Sequence, residues 1–249
     1  MHVDVIDLKE FYGSPLGRVA RQFVIQALRA HWPDMEGQYL LGFGYAVPYM
    51  RHYRKPSSGS FAFMPAGQGV IRWPPSGPNR ALLSEETELP LPDCCIDRIL
   101  VVHGLEMSPS ADELCREFWR VLKPGGRLLV VVPNRRGLWA RAEATPFGHG
   151  RPFSRGQLQS LFRDSQFVPE KWSESLFMPP LSWRSLLRWA RGWERIGYSL
   201  WPAFSGIIIA EAVKDMYGVS LTQAAQRKTG RLGGVIMPVP ATSRVLNKS

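Results

Sequence analysis

The sequence predicts an α/β fold in which a mostly parallel sheet carries helices on both faces. Three observations predict it. Leu128–Val132 is an unbroken apolar run rich in β-branched residues, which suits a strand buried on both faces. Ile96–Val102 reads as a second buried strand. Between them, Leu114, Phe118, Val121 and Leu122 stand at i, i+4, i+7 and i+8, one apolar stripe of a helix. Lys123-Pro124 disfavours further helix, and Gly125-Gly126 supplies the dihedrals of a tight turn. The unit is helix, tight turn, central strand.

The chain has 249 residues, 45% of them hydrophobic, enough for one sizeable domain. Asp4, Asp7, Lys9 and Glu10 near the N-terminus do not read as a secretion signal. Phe204–Val213 is too short to span a bilayer and carries Glu211. A cytoplasmic, soluble protein is expected. Cys94, Cys95 and Cys115 have neither disulfide nor metal-ligand spacing, so no metal site is expected. The net charge of +10 favours acidic partners, or has no special meaning, as in many basic enzymes.

The first element is an amphipathic helix over Leu16–Trp32, stopped by Pro33-Asp34. Gln38–Phe43 is a short strand entering the glycine loop Gly42-Phe43-Gly44-Tyr45-Ala46. Ser60–Met64 is strand two, and residues 65–79 form an irregular Pro/Gly-rich loop. Ala81–Ser84 is a short third strand, followed by the acidic turn of Glu85, Glu86 and Glu88. After Asn134, Ser154 reads as the N-cap of a helix to about residue 162. Phe167–Trp172 is strand six and Phe204–Ala212 strand seven.

The wording of these segments resembles the class I S-adenosylmethionine-dependent methyltransferases, in their type 11 branch. Arg120–Leu128 reads like that family's Arg-Val-Leu-Lys-Pro-Gly-Gly turn. Glu85–Asp97 resembles its acidic, Leu-Pro and Phe-Asp segment, and His103-Gly-Leu-Glu-Met107 its His-x-Leu-Glu-His. Gly42 and Gly44 match the first two glycines of the cofactor loop, whose third is Ala46 here. Together the motifs cover roughly residues 36–135. The resemblance implies a Rossmann-like seven-stranded sandwich, its last strand antiparallel, and S-adenosyl-L-methionine as cofactor. It places Gly42, Gly44 and Tyr45 at the methionine moiety, Met64 at the end of strand two and Glu85 at the adenine. His103 falls near the transferred methyl, with a hydrogen-bonded structural role as the alternative. Arg135, His149 and Arg151 lie in loops that commonly face substrate in this family, where Arg135 and Arg151 could receive an anion; the alternative is plain exposed loop charge.

The expected organisation is a methyltransferase-like domain over residues 1–214, an insertion at about 178–201, and a flexible basic tail over 215–249. Read as a helix, the insertion sets Arg184, Arg188, Arg191 and Arg195 within an arc of about 60°. Trp183, Leu186, Trp189, Trp193 and Ile196 oppose them. That face suits packing on the domain, a lid, a protein partner or an anionic membrane surface. Two function readings follow. One is a methyltransferase acting on a small molecule. The other is a catalytically inactive methyltransferase-like binding or regulatory protein, because Leu40 and Met64 stand where the family carries acids. Nucleic acid is not an expected partner, since no basic platform interleaved with aromatics is present.

Overall fold

The computed structural model describes residues 3–53, 57–181, 192 and 205–215. Seven strands form one sheet in the order β3-β2-β1-β4-β5-β7-β6. β1 (Tyr39–Gly44), β2 (Gly59–Pro65), β3 (Ala81–Ser84), β4 (Ile96–Val102) and β5 (Leu122–Pro133) pair in parallel. β7 (Ile207–Val213) runs antiparallel to both β5 and β6 (Val168–Ser175). This is the mostly parallel, helix-covered sheet that the apolar runs predict.

The strands are apolar on both sides because both sides are covered. Leu40, Leu100, Leu129 and Ile209 pack with Ala20, Val24 and Leu28 of α2 (Pro15–His31). Their neighbours Leu41, Ile99, Val101, Leu128 and Val130 pack against Leu114 and Phe118 of α4 (Ala111–Val121) and Leu158 and Phe162 of α5 (Arg155–Asp164). α3 (Val47–Met50) is a single turn after the glycine loop. Ser154 caps α5 in a full capping box with Gln157.

Two features differ from the sequence expectation. The Pro-Gly-Gly segment is not a turn ahead of the strand but a bulge inside it. Ile96 pairs with Leu122 and Arg98 with Arg127, so Asp97 alone faces Lys123–Gly126. Lys123 Nζ lies 2.9 Å from both Asp97 carboxylate oxygens, and Gly125 N donates to Lys214 O at 2.8 Å. The second difference is an additional helix, α1 (Val5–Gly13). Asp4 caps it through Ile6 N, and Ser14 both ends α1 and caps α2 through Gly17 N. The insertion face and the tail lie outside the described residues. No helix among the described residues is long and apolar enough to cross a membrane.

Glu211 ties α2 to the sheet. Its carboxylate is fully buried and accepts from Trp32 Nε1 at 3.0 Å and Arg127 Nη1 at 2.8 Å, with His31 Nδ1 at 3.0 Å. Burial pushes its pKa up, but the hydrogen bonds from His31, Arg127 and Trp32 outweigh burial and hold it at about 2, against an ordinary 4.5. A depressed carboxyl stabilises the fold above its ordinary value and stops doing so as pH falls toward the folded value. The denaturant midpoint is therefore expected to fall between pH 4.5 and about 2, and Glu211→Gln to flatten that part of the profile. Glu211→Ala removes the shared acceptor of Trp32, His31 and Arg127 but leaves Arg127 paired with Glu170 and His31 with Ser173, and is expected to cost about 1–3 kcal/mol in denaturant unfolding.

Candidate functional site

Ligands of open parallel sheets sit beyond the carboxyl ends of the strands. Here the ends of β1, β2 and β4 converge on a buried polar cluster. β1 finishes at Gly44, whose φ of +71° is open to glycine, and whose added Cβ would strike Val102 O. That sharp exit lets Tyr45 N donate to Val102 O at 2.7 Å, clamping the loop to the end of β4. β4 then delivers His103, itself at φ +50° and fully buried.

Both edges of the His103 ring are occupied. Nε2 lies 2.7 Å from Tyr12 Oη of α1, and Nδ1 lies 3.2 Å from Glu106 Oε1. Tyr49 Oη donates to Tyr12 Oη at 2.9 Å. Burial, then Tyr49, raises the Tyr12 pKa well above 10, so its hydroxyl keeps its proton. Because the Tyr12 oxygen already accepts from Tyr49, its own proton points to His103 Nε2. In a neutral imidazole the other proton is then on Nδ1, facing Glu106. Glu106 is 1% exposed, and neither of its oxygens makes an aligned hydrogen bond. Gln68, just past β2, donates to His103 O at 2.9 Å, while its Oε1 is buried without a partner.

Aromatic rings wall the cluster. Tyr12 stacks on Tyr45, with centroids 5.6 Å apart and planes 18° from parallel, and meets Tyr49 edge-on. Phe147 lies 4.7 Å from the His103 ring. α1 lies across this end of the sheet. Val5 N donates to Gln68 O beyond β2, and seven residues later Tyr12 meets His103 beyond β4. Seven helical residues rise about 10 Å, the width of two strand spacings, which matches the order β2-β1-β4.

Of the residues singled out in the sequence, Gly42, Gly44, Tyr45, Met64 and His103 come together at these strand ends, with Tyr45 3% and Met64 0% exposed. A Cβ on Gly42 would meet Met50 Sδ, so this chain itself fills the space beside that glycine. Glu85 stands exposed after β3. Arg135, His149 and Arg151 are exposed on the segment following β5 and do not join the cluster. His149 Nε2 is paired with Glu143 O, but Arg151 N donates to Glu106 O and so anchors that segment to the site.

Tyr12 and Gln68 are not singled out in the sequence, and Glu106 enters only as the Glu of the His103–Met107 motif, without a role of its own. Val5, Leu8 and Tyr12 at i, i+3 and i+7 behind an Asp N-cap carry a readable helix signal. Gln68 sits in a loop without periodicity, and nothing in its spacing marks it.

The chain matches the family model "Methyltransferase domain" over residues 73–130. It is 29% identical over 93 residues to a demethylmenaquinone methyltransferase of Thermus thermophilus, covering 36% of this chain and 42% of that protein. It is 46% identical over 43 residues to a ubiquinone/menaquinone biosynthesis C-methyltransferase of Pseudoalteromonas translucida, covering 17% of each. The matches thus span less than half of these curated relatives' length. Among solved structures, an S-adenosylmethionine-dependent methyltransferase of Thermotoga maritima superposes with a TM-score of 0.55 at 18% identity, covering 85% of this chain and 96% of that one. A methyltransferase solved with the Trm112 activator of Haloferax volcanii gives 0.56 at 16% identity, covering 76% and 87%.

Tyr12→Phe keeps the ring and removes the hydroxyl that joins His103 to Tyr49. It is expected to cost about 1–2 kcal/mol in denaturant unfolding. An unchanged midpoint would show that these bonds contribute nothing to holding α1.

Proposed function

For a chain that shares the fold of the class I S-adenosylmethionine-dependent methyltransferases and matches their domain model over residues 73–130, we propose methyl transfer from S-adenosylmethionine to a small molecule. The observation that carries this reading is the convergence of the Gly44 turn, Tyr45 and His103 at the ends of β1 and β4.

The polar groups suit the cofactor. Gln68 Oε1 is a buried acceptor without a partner beyond β2, where a hydroxyl of the nucleoside would satisfy it. Gly44 and Tyr45 would border the methionine moiety, and exposed Glu85 would accept from the adenine amine. Space is the remaining requirement. Tyr12 of α1, Tyr45 of the glycine loop and Met50 of α3 occupy the volume beside Gly42 and His103, so binding requires these side chains, and not α1 alone, to give way. Bound there, the cofactor supplies an electrophilic methyl group on a sulfonium. The protein's part is to hold an acceptor in line with it and exclude water, which is positioning rather than covalent catalysis.

Calorimetric titration with S-adenosylmethionine and S-adenosylhomocysteine tests the reading. Binding in the micromolar range is expected, weakened about tenfold or more by Glu85→Ala, which removes a charged hydrogen-bond acceptor. Tyr12→Ala, which frees the volume, is expected to tighten it. Folded wild-type and Tyr12→Ala proteins that both ignore the two ligands would overturn the reading in favour of an inactive, methyltransferase-like binding protein.

A further inference from the structure

Charge is spread unevenly between the two ends of the sheet. At the amino ends of β4 and β5 the cations are matched. Lys123 pairs with Asp97, Arg127 with Glu170 and Glu211, and Arg120, at the end of α4, with Asp93 and Glu117. Beyond the carboxyl end of β5 they are not matched. Residues 134–153 hold four arginines, Arg135, Arg136, Arg141 and Arg151, against a single acid, Glu143. All four are exposed, and among the described residues none of them makes an ion pair.

The segment that carries them is firmly mounted. Phe153 N donates to Pro133 O at 3.0 Å and Arg135 N to Phe153 O at 2.9 Å, so Arg135 and Arg151 stand on neighbouring stretches of backbone. Arg151 N donates to Glu106 O at 2.7 Å. On the inner side, Trp139 and Phe147 are buried, and Trp139 Nε1 donates to Met178 O at 2.7 Å. On the outer side, Leu138 is 51% exposed. Arg141 N donates to Leu138 O at 3.2 Å, and this single tight turn sets Leu138 and Arg141 on the same side. Leu181, three residues beyond Met178, is also exposed. From Leu181 the sequence runs on into Trp183–Ile196, which joins four arginines with three tryptophans.

Unpaired arginines ask for an anion, and the planar guanidinium fork suits a phosphate. A nucleic acid or an acidic protein would satisfy the arginines and leave Leu138 and Leu181 against polar surroundings. A bilayer surface satisfies both kinds of residue, with phosphates at headgroup level and hydrocarbon just beneath. We propose that Arg135, Arg136, Leu138, Arg141, Arg151 and Leu181 form a face that docks on an anionic phospholipid bilayer, the arginines at the headgroup phosphates and the leucines below them. The attachment is peripheral, and it turns the carboxyl end of the sheet toward the membrane. It concerns the outer side of this segment alone and does not depend on the methyltransferase reading.

Co-sedimentation of the full chain with lipid vesicles tests the proposal. Binding is expected to vesicles of phosphatidylcholine mixed with phosphatidylglycerol and not to phosphatidylcholine alone, and it is expected to weaken as salt rises. Changing Arg135→Gln and Arg136→Gln together is expected to lower the partition coefficient about 25-fold, about fivefold for each charge. Leu138→Ala is expected to lower it about fivefold through the lost apolar contact. Arg163→Gln, which removes an exposed arginine at the end of α5, is expected to leave it unchanged. Failure to bind the mixed vesicles overturns the proposal. So does a fall of about fivefold in Arg163→Gln, which would make net charge alone the cause. Binding that survives the double arginine change also overturns it and moves the contact to another surface. Binding that survives Leu138→Ala overturns the bilayer in favour of a general polyanion surface, which would capture duplex DNA equally well.

Discussion

The architecture depends on one buried carboxylate. Glu211 lies in β7, opposite Leu129 of β5 and Lys171 of β6, and collects His31 and Trp32 from the end of α2 together with Arg127 from β5. A charge this deep is tolerated only with several donors around it, and here the donors come from one neighbouring strand, β5, and a helix end. The arrangement thereby fixes where α2 ends on the sheet. Seventeen residues earlier, α2 begins at the shared Ser14 cap that aims α1. The line from Glu211 through α2 to Ser14 thus sets where Tyr12 meets His103.

A second set of contacts explains why the matching segment reads as it does. Arg120 donates to Leu89 O, Leu91 O, Asp93 and Glu117, which pins the Leu-Pro segment before β4 to α4. Lys123 does the same for Asp97 across the bulge. Arg's fixed fork suits several acceptors at once, and Lys's compact charge suits one carboxylate. The most family-like stretch of the chain is therefore largely scaffold. It makes the end of β4 rigid, and His103 leaves from that end in a left-handed conformation. The chemistry-bearing groups, Tyr12, Gln68, His103 and Glu106, come from α1, the loop after β2 and the segment after β4.

Much of the fold was legible in the residue pattern because burial on both faces leaves an apolar run that local reading detects. β3 and β4 fall on the expected residues, and β7 lies antiparallel as the family resemblance implies. The Pro-Gly-Gly bulge reads in sequence as a turn because glycine and proline mark both, and only cross-strand pairing tells them apart. Glu211 reads in sequence as an interruption of an apolar run, yet it is the point where three elements meet.

The sequence by itself determined the order of the strands, the parallel sheet, the Gly44 turn and the place of His103 at a strand end, since each follows from local periodicity or a local dihedral requirement. Only the tertiary structure decided what stands against His103. Tyr12 lies 91 residues away along the chain, and Gln68 lies 35. Their meeting is set by the crossing of α1 over three strand ends, a long-range packing outcome that no short window of sequence contains. The same packing turns a buried histidine into a paired, oriented and covered one.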